Sequence, residues 1–211
     1  DSVKSAKKSS FQITDILVGG DYRLDSASKL YFKIYNPFLN IHYNTVEGFN
    51  IDYSIGLKKF IPIKHDTTQR NDEIDRSYYN WRSYALLKPT VRYSVARNKF
   101  IGKILAKYQF KTGDISFRVG RYVEQFNDAP AVYPLLNTSF STIWEQNFMK
   151  LYEKDFMKLN YERRFSTKFE MSAELEYEER NRLNNNADFR LIDWRREFTP
   201  NFPVNINPVD D

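Results

Sequence analysis

From residue 49 to residue 58 the chain alternates without a break. Phe49, Ile51, Tyr53, Ile55 and Leu57 are apolar; Asn50, Asp52, Ser54, Gly56 and Lys58 are small or polar. Residues 168–178 do the same. Phe169, Met171, Ala173, Leu175 and Tyr177 fall on one parity, with Lys168, Glu170, Ser172, Glu174, Glu176 and Glu178 on the other. Successive side chains of a strand point to opposite faces, so such runs demand long strands with one apolar and one strongly polar face. A tilted strand needs about 9–11 residues to cross a bilayer, so the same length fits a membrane barrel. Alternation alone does not say whether the apolar face meets lipid or a protein core.

Composition narrows the choice. Seventeen Phe and 15 Tyr against three Met bias the chain toward β structure. The mean hydropathy of −0.64 is compatible with a barrel, in which only every second residue need be apolar. No run approaches the roughly 18 apolar residues of a membrane helix. The opening DSVKSAKKSS is polar and basic, unlike a signal peptide, so the chain is expected to be internal to a longer precursor or a mature fragment. With no Cys, disulfides and thiolate metal sites are excluded. The net charge is +5, but basic residues are interleaved with carboxylates, which argues against a nucleic-acid partner.

The organisation expected is all-β. Residues 1–39 read as a linker and an aromatic-rich, irregular rim segment interrupted by Pro37; residues 11–18 suit either a short strand or a turn of helix. Residues 40–195 read as part of a barrel, and residues 196–211, with three prolines, as an extended or disordered tail. Six strands are expected at 49–60, 84–96, 101–110, 115–124, 156–165 and 169–179, with 188–194 as a weaker seventh. A long polar loop fills 61–82. Phe140, Ile143, Trp144, Phe148, Leu151 and Tyr152 recur at helical spacing behind Asn137-Thr138-Ser139, which predicts an amphipathic helix over 139–152, with a bulged strand as the alternative.

Pairing arithmetic fixes candidate registers. A turn at Thr112-Gly113 sets Phe110 opposite Ile115, Tyr108 opposite Phe117 and Lys107 opposite Arg118. A four-residue turn at 97–100 sets Tyr93 opposite Ile104. A turn at Ser166-Thr167-Lys168 sets Leu159 opposite Leu175 and Tyr161 opposite Ala173. On the polar side it sets Lys158 opposite Glu176, Asn160 opposite Glu174 and Arg164 opposite Glu170. Opposite charges facing across strands contribute ~0.2–1 kcal/mol each, so pattern and charge select one register.

The chain carries no motif of catalytic grade. His42 and His65 lie in unlike contexts, and Gly19-Gly20 lacks the residues of a phosphate loop. No catalytic, cofactor or metal site is therefore assigned, and the function expected is non-enzymatic. Lys158, Arg164, Glu170, Glu174 and Glu176 are expected on a water-filled or plugged lumen as structural charge pairs. Leu159, Tyr161, Leu175, Tyr177, Tyr108 and Phe117 are expected to face lipid.

Several segments carry a family likeness. YNTVEGFNI (43–51), GRYVEQFN (120–127), NFMKLYEKDF (147–156), LEYEERNRL (175–183) and FTPNFPVN (198–205) occur in that order. They resemble Bacteroidota-type outer-membrane proteins with an N-terminal carboxypeptidase-regulatory-like domain followed by a β-barrel of unknown function. The entry Asn44-Thr45-Val46-Glu47-Gly48 also resembles the first-strand entry of Omp85-superfamily assembly and translocation barrels. Asn44, Thr45, Glu47 and Gly48 are its motif residues. The resemblance implies the first part of an antiparallel up-and-down transmembrane barrel in a Gram-negative outer membrane. Its partners would be lipid and either the rest of its own barrel or other outer-membrane proteins. It implies a role in transport or outer-membrane protein assembly. A soluble lipocalin-like carrier of a hydrophobic ligand and a scaffold binding a partner protein are the alternatives.

Overall fold

The computed structural model describes residues 11–25, 29–61, 83–126 and 131–201. The loop expected at 61–82, including His65, lies almost wholly outside the described residues, as do residues 202–211 of the tail. A short helix, α1 (Asp15–Val18), precedes strands β1 (Gly20–Asp25) and β2 (Leu30–Ile34). A 3-10 turn, Phe38–Asn40, leads into β3 (Ile41–Asn44). Then follow β4 (Gly48–Ile61), β5 (Ser83–Ser94), β6 (Lys99–Phe110), β7 (Gly113–Gln125), helix α2 (Pro134–Trp144), β8 (Leu151–Arg164) and β9 (Glu170–Arg182). The chain is all-β, in one antiparallel sheet ordered β1-β2-β4-β5-β6-β7-β8-β9, with β3 on the first half of β4. From β4 onward every strand pairs with its sequence neighbour, as an up-and-down meander does. Among the described residues the sheet is not closed: β1 and β9 stand at opposite ends of the order.

All six confidently patterned strands are present, and the β8–β9 register agrees in every pair named from sequence, from Arg164 with Glu170 to Leu159 with Leu175. The two earlier hairpins are displaced. Tyr108 pairs with Ile115, two residues from the arithmetic, because the turn is Lys111-Thr112 and Gly113 already belongs to β7. A side chain at Gly113 would collide with the Glu162 carbonyl, which reserves this strand position for glycine. The shift also relieves the like-charge pair. Lys107 faces Ser116 and its ammonium lies 3.0 Å from Asp114. In the β5–β6 hairpin the turn is at 95–98 rather than 97–100, closed by Asn98 in the left-handed region. Tyr93 therefore pairs with Phe100, their rings 4.6 Å apart. Both shifts are even, so every side chain keeps its face.

Three other expectations are corrected. The aromatic-rich rim segment before residue 40 is not irregular: β1 and β2 lie in it and β3 follows, with Pro37 breaking the chain between β2 and β3 so that both pair along one edge of β4. The helix ends at Trp144, with Glu145 in the left-handed conformation as its cap, and starts at Pro134. Asn137-Thr138-Ser139 lies within it, Thr138 donating its hydroxyl to the Pro134 carbonyl (2.9 Å), while Leu151 and Tyr152 belong to β8. Residues 188–194 form no strand. Their backbone is held otherwise: Leu191 N–H donates to the Thr142 carbonyl (2.7 Å) and Trp194 N–H to the Glu145 carboxylate (3.0 Å).

The sheet curls with its polar face inward. Strands lie about 4.8 Å apart, so β4 and β7, three steps distant in the order, would be ~14 Å apart if flat. Yet Tyr122 on β7 donates to Asp52 on β4 at 2.6 Å. Only a sheet concave on the polar side brings these groups together.

Candidate functional site

The convex face is a set of apolar rows. Phe32, Leu57, Leu87, Ala106, Phe117, Leu159 and Leu175 pair in succession from β2 to β9. A second row runs through Ile104, Val119, Met157 and Tyr177, and a third through Tyr108, Ile115, Tyr161 and Ala173. The six residues expected to face lipid thus fall on one face. Most of it is open: Leu57, Leu87, Ile104, Tyr108, Phe117, Met157 and Leu159 are all exposed, and Leu175 is 73% exposed. The band runs obliquely. Where Tyr53 and Val91 are apolar on β4 and β5, the same row carries Arg121, Asp155 and Glu179 on β7, β8 and β9. At its other border Lys59 on β4 shares a row with Tyr161 and Ala173. Arg163, the one cation on the apolar parity of β8, lies beyond the band with its guanidinium over the Phe165 ring at 4.8 Å.

The concave face carries the charges. On β8 and β9 they form a ladder. The Lys158 ammonium bridges Glu174 and Glu176, and Lys154 reaches Glu124, Glu176 and Glu178 at 2.8–3.0 Å. Arg164 pairs with Glu170 at 3.2 Å near the turn, where both are exposed. All five residues expected as lumen charges lie in this ladder. Deeper in the curl, Arg92 binds Glu47 at 2.9 Å and donates to Asn50 at 2.8 Å.

One end of the sheet is closed by a buried polar latch built on the Asn44–Gly48 turn. Asn44 Oδ1 accepts from the backbone N–H of Val46 and Glu47, a side-chain-closed turn. Its amide donates to Glu47 Oε2 at 3.0 Å, and Ser94 donates to Oε1 at 2.7 Å. Gly48 follows in the left-handed region (φ 66°), a conformation that disfavours a Cβ, and one there would sit 3.0 Å from the Ala96 Cβ. Thr45 ties the turn to distant chain. It donates to Asn185 (2.7 Å), accepts from Asn147 (2.6 Å), and its carbonyl receives the N–H groups of Asn186 and Ala187. Asn201 bonds both Leu151 and Leu183. Glu145 gathers Arg190, Trp194 and Arg196. A small core of Val46, Ile101, Val123, Met149, Leu151 and Leu183 lies among these bonds.

Pattern reasoning placed Asn44, Thr45, Glu47 and Gly48 by likeness alone; it missed the Thr45 partners Asn147, Asn185 and Asn186, and the neighbouring bonds of Asn201 and Glu145. The signal was there in the asparagines that cluster in or beside the motif segments. Among the described residues no group of three His, Asp or Glu side chains could hold a metal ion.

His42, next to the latch on β3, is partly buried, its Nδ1 without a partner. Burial, reinforced by Arg92, holds its pKa below the ordinary 6.5. The unfolded chain protonates this ring more readily than the folded one. Its contribution to stability is therefore complete above about pH 6.5 and is lost as the pH falls below it. The urea midpoint is expected to drop between about pH 7 and pH 5, and less so in His42→Gln. An equal drop in both proteins would remove His42 from the cause.

A family model described as "Family of unknown function (DUF5686) C-terminal domain" matches residues 14–210. No curated protein and no solved structure matches the chain.

Proposed function

This chain belongs to the DUF5686 C-terminal domain family, and on that premise we propose that it forms part of a Gram-negative outer-membrane β-barrel. The observation that carries the reading is the convex apolar band. It is exposed, continuous across the strands, and oblique to them. A bilayer imposes such a slant on a barrel, because its strands tilt by about 35–45° to the membrane normal. A polar concave face behind it is what a lumen requires. The likeness to barrels preceded by a carboxypeptidase-regulatory-like domain, and to Omp85 entry strands, favours transport or outer-membrane protein assembly as the role. That role is non-enzymatic.

The remainder of the barrel completes the sheet, because β1 and β9 end the strand order among the described residues and an open sheet is costly in lipid. Two results are expected. The full-length protein needs detergent to stay in solution as a monodisperse species. The 211-residue chain alone does not give a monomer in detergent with full β content by circular dichroism. A full-length protein that is monodisperse in plain buffer would favour the soluble carrier instead. A stable, fully β monomer of the 211 residues would refute completion by further strands.

A further inference from the structure

The concave face is electrically two-sided. On β8 and β9 each lysine is matched by glutamates, as the Lys154 and Lys158 ladder shows. On β4 to β7 the matching is partial: Arg92 and Lys107 have carboxylate partners, Glu47 and Asp114, but four other cations do not. Lys58, Lys88, Lys103 and Arg118 point to this face and form no ion pair among the described residues. The three lysines rest instead on aromatic rings. The Lys58 ammonium lies 3.8 Å from the centre of Tyr84, Lys88 4.2 Å from Tyr35 and Lys103 3.5 Å from Tyr122. A ring holds a cation in place without neutralising it. Of the nearby carboxylates, Asp114 is paired with Lys107 and Glu124 with Lys154, while Asp52 accepts from Tyr122 and lies 3.6 Å from Arg92, which leaves more cations than carboxylates on this part of the face.

The four cations are also close together. Lys88 and Arg118 both pair with Leu105, from either side, and Lys103 pairs with Gly120, next to Arg118 in the adjacent row. Like charges held this near, inside a concave low-dielectric wall, raise a local positive potential that draws in anions. The same face of β9 accommodates glutamates at 170, 174, 176 and 178, so a concave strand position here admits a carboxylate partner.

We propose that the concave face of β4 to β7 is a binding strip for a soluble, multivalent anion of the phosphate or sulfate type, held by Lys58, Lys88, Lys103 and Arg118. The strip requires the curl of the sheet and not the bilayer, so it stands apart from the membrane reading.

Pyrophosphate titrated calorimetrically into the full-length protein at low ionic strength tests it. Saturable binding is expected, weakening as salt shortens the screening length toward about 10 Å at 0.1 M. The double variant Lys88→Gln/Lys103→Gln is expected to bind about tenfold or more weakly, the order expected for lost charge-assisted contacts. Lys88→Arg/Lys103→Arg keeps the charge and is expected to retain binding. Lys111→Gln, in the β6–β7 turn away from the strip, is expected to bind as the parent does. Absence of saturable binding by protein whose circular dichroism shows folded β structure overturns the proposal. So does equal affinity in the Gln double variant. If the protein proves soluble without detergent, the membrane reading fails while the same titration, run in buffer, still decides the strip.

Discussion

Arginine at Leu175 is expected to cost ~2–4 kcal/mol when the full-length protein refolds into bilayers, while arginine at Glu174 costs far less. The two residues are neighbours on β9, so strand propensity and distance from the edge are nearly the same for both. They differ in face. Leu175 is in the apolar row with Leu159 and Phe117, near the middle of the band; Glu174 lies on the concave side against Lys158. A guanidinium at Leu175 would be placed in hydrocarbon. At Glu174 it would face water and meet one lysine. Urea unfolding from lipid vesicles reads the difference. Equal tolerance at both positions would mean that the convex face does not meet hydrocarbon.

Glu47→Ala is expected to destabilise the folded chain by about 3–5 kcal/mol, the range for removing one partner of a buried pair. Glu47 is fully buried and closes three contacts, to Arg92, Ser94 and Asn44. Without it Arg92 keeps its bond to the neutral Asn50 amide, but its only carboxylate partner is Asp52, at the longer distance of 3.6 Å, deep in the curl. The expected signature is a lowered urea midpoint, with Glu47→Gln losing less because its amide oxygen still accepts from Ser94. A loss under about 1 kcal/mol for Glu47→Ala would show that water replaces the carboxylate, and that the latch is not a buried ion pair in solution.

Faces were legible in the sequence; turns were less so. Alternation assigned nearly every side chain of β4 to β9 to its side, and it survived two errors of register because both were even. Where charge joined the pattern, as at Lys158 with Glu176 and Arg164 with Glu170, the register itself was readable. In the β6–β7 hairpin it was not, because Thr112-Gly113 has the composition of a turn. The requirement for glycine at 113 comes from Glu162 on β8, some fifty residues away. The short strands β1 to β3 carry no long alternation and escaped notice. The helix was displaced because Phe148, Leu151 and Tyr152 continue its spacing by chance while serving β8 and its aromatic contacts, Tyr152 packing on Phe126 at 4.9 Å. The latch was hidden for a different reason. Asparagine amides bonded to remote backbone leave no periodic trace, so Asn184, Asn185 and Asn186 gave alternation nothing to detect.

The latch also sets an order of events. The hairpins β5–β6, β6–β7 and β8–β9 join residues near in sequence and form early in folding. Thr45 and Asn185 are 140 positions apart, so their bond closes a loop that spans most of the described chain. The Asn44–Gly48 turn therefore stays incomplete during synthesis, its Thr45 carbonyl without Asn186 and Ala187, until β9 has been made and turned back. A chain interrupted before residue 185 holds most of its strands but never locks. In the uninterrupted chain, protection of the Asn186 and Ala187 amides from exchange is the last to appear and marks the moment at which assembly is finished.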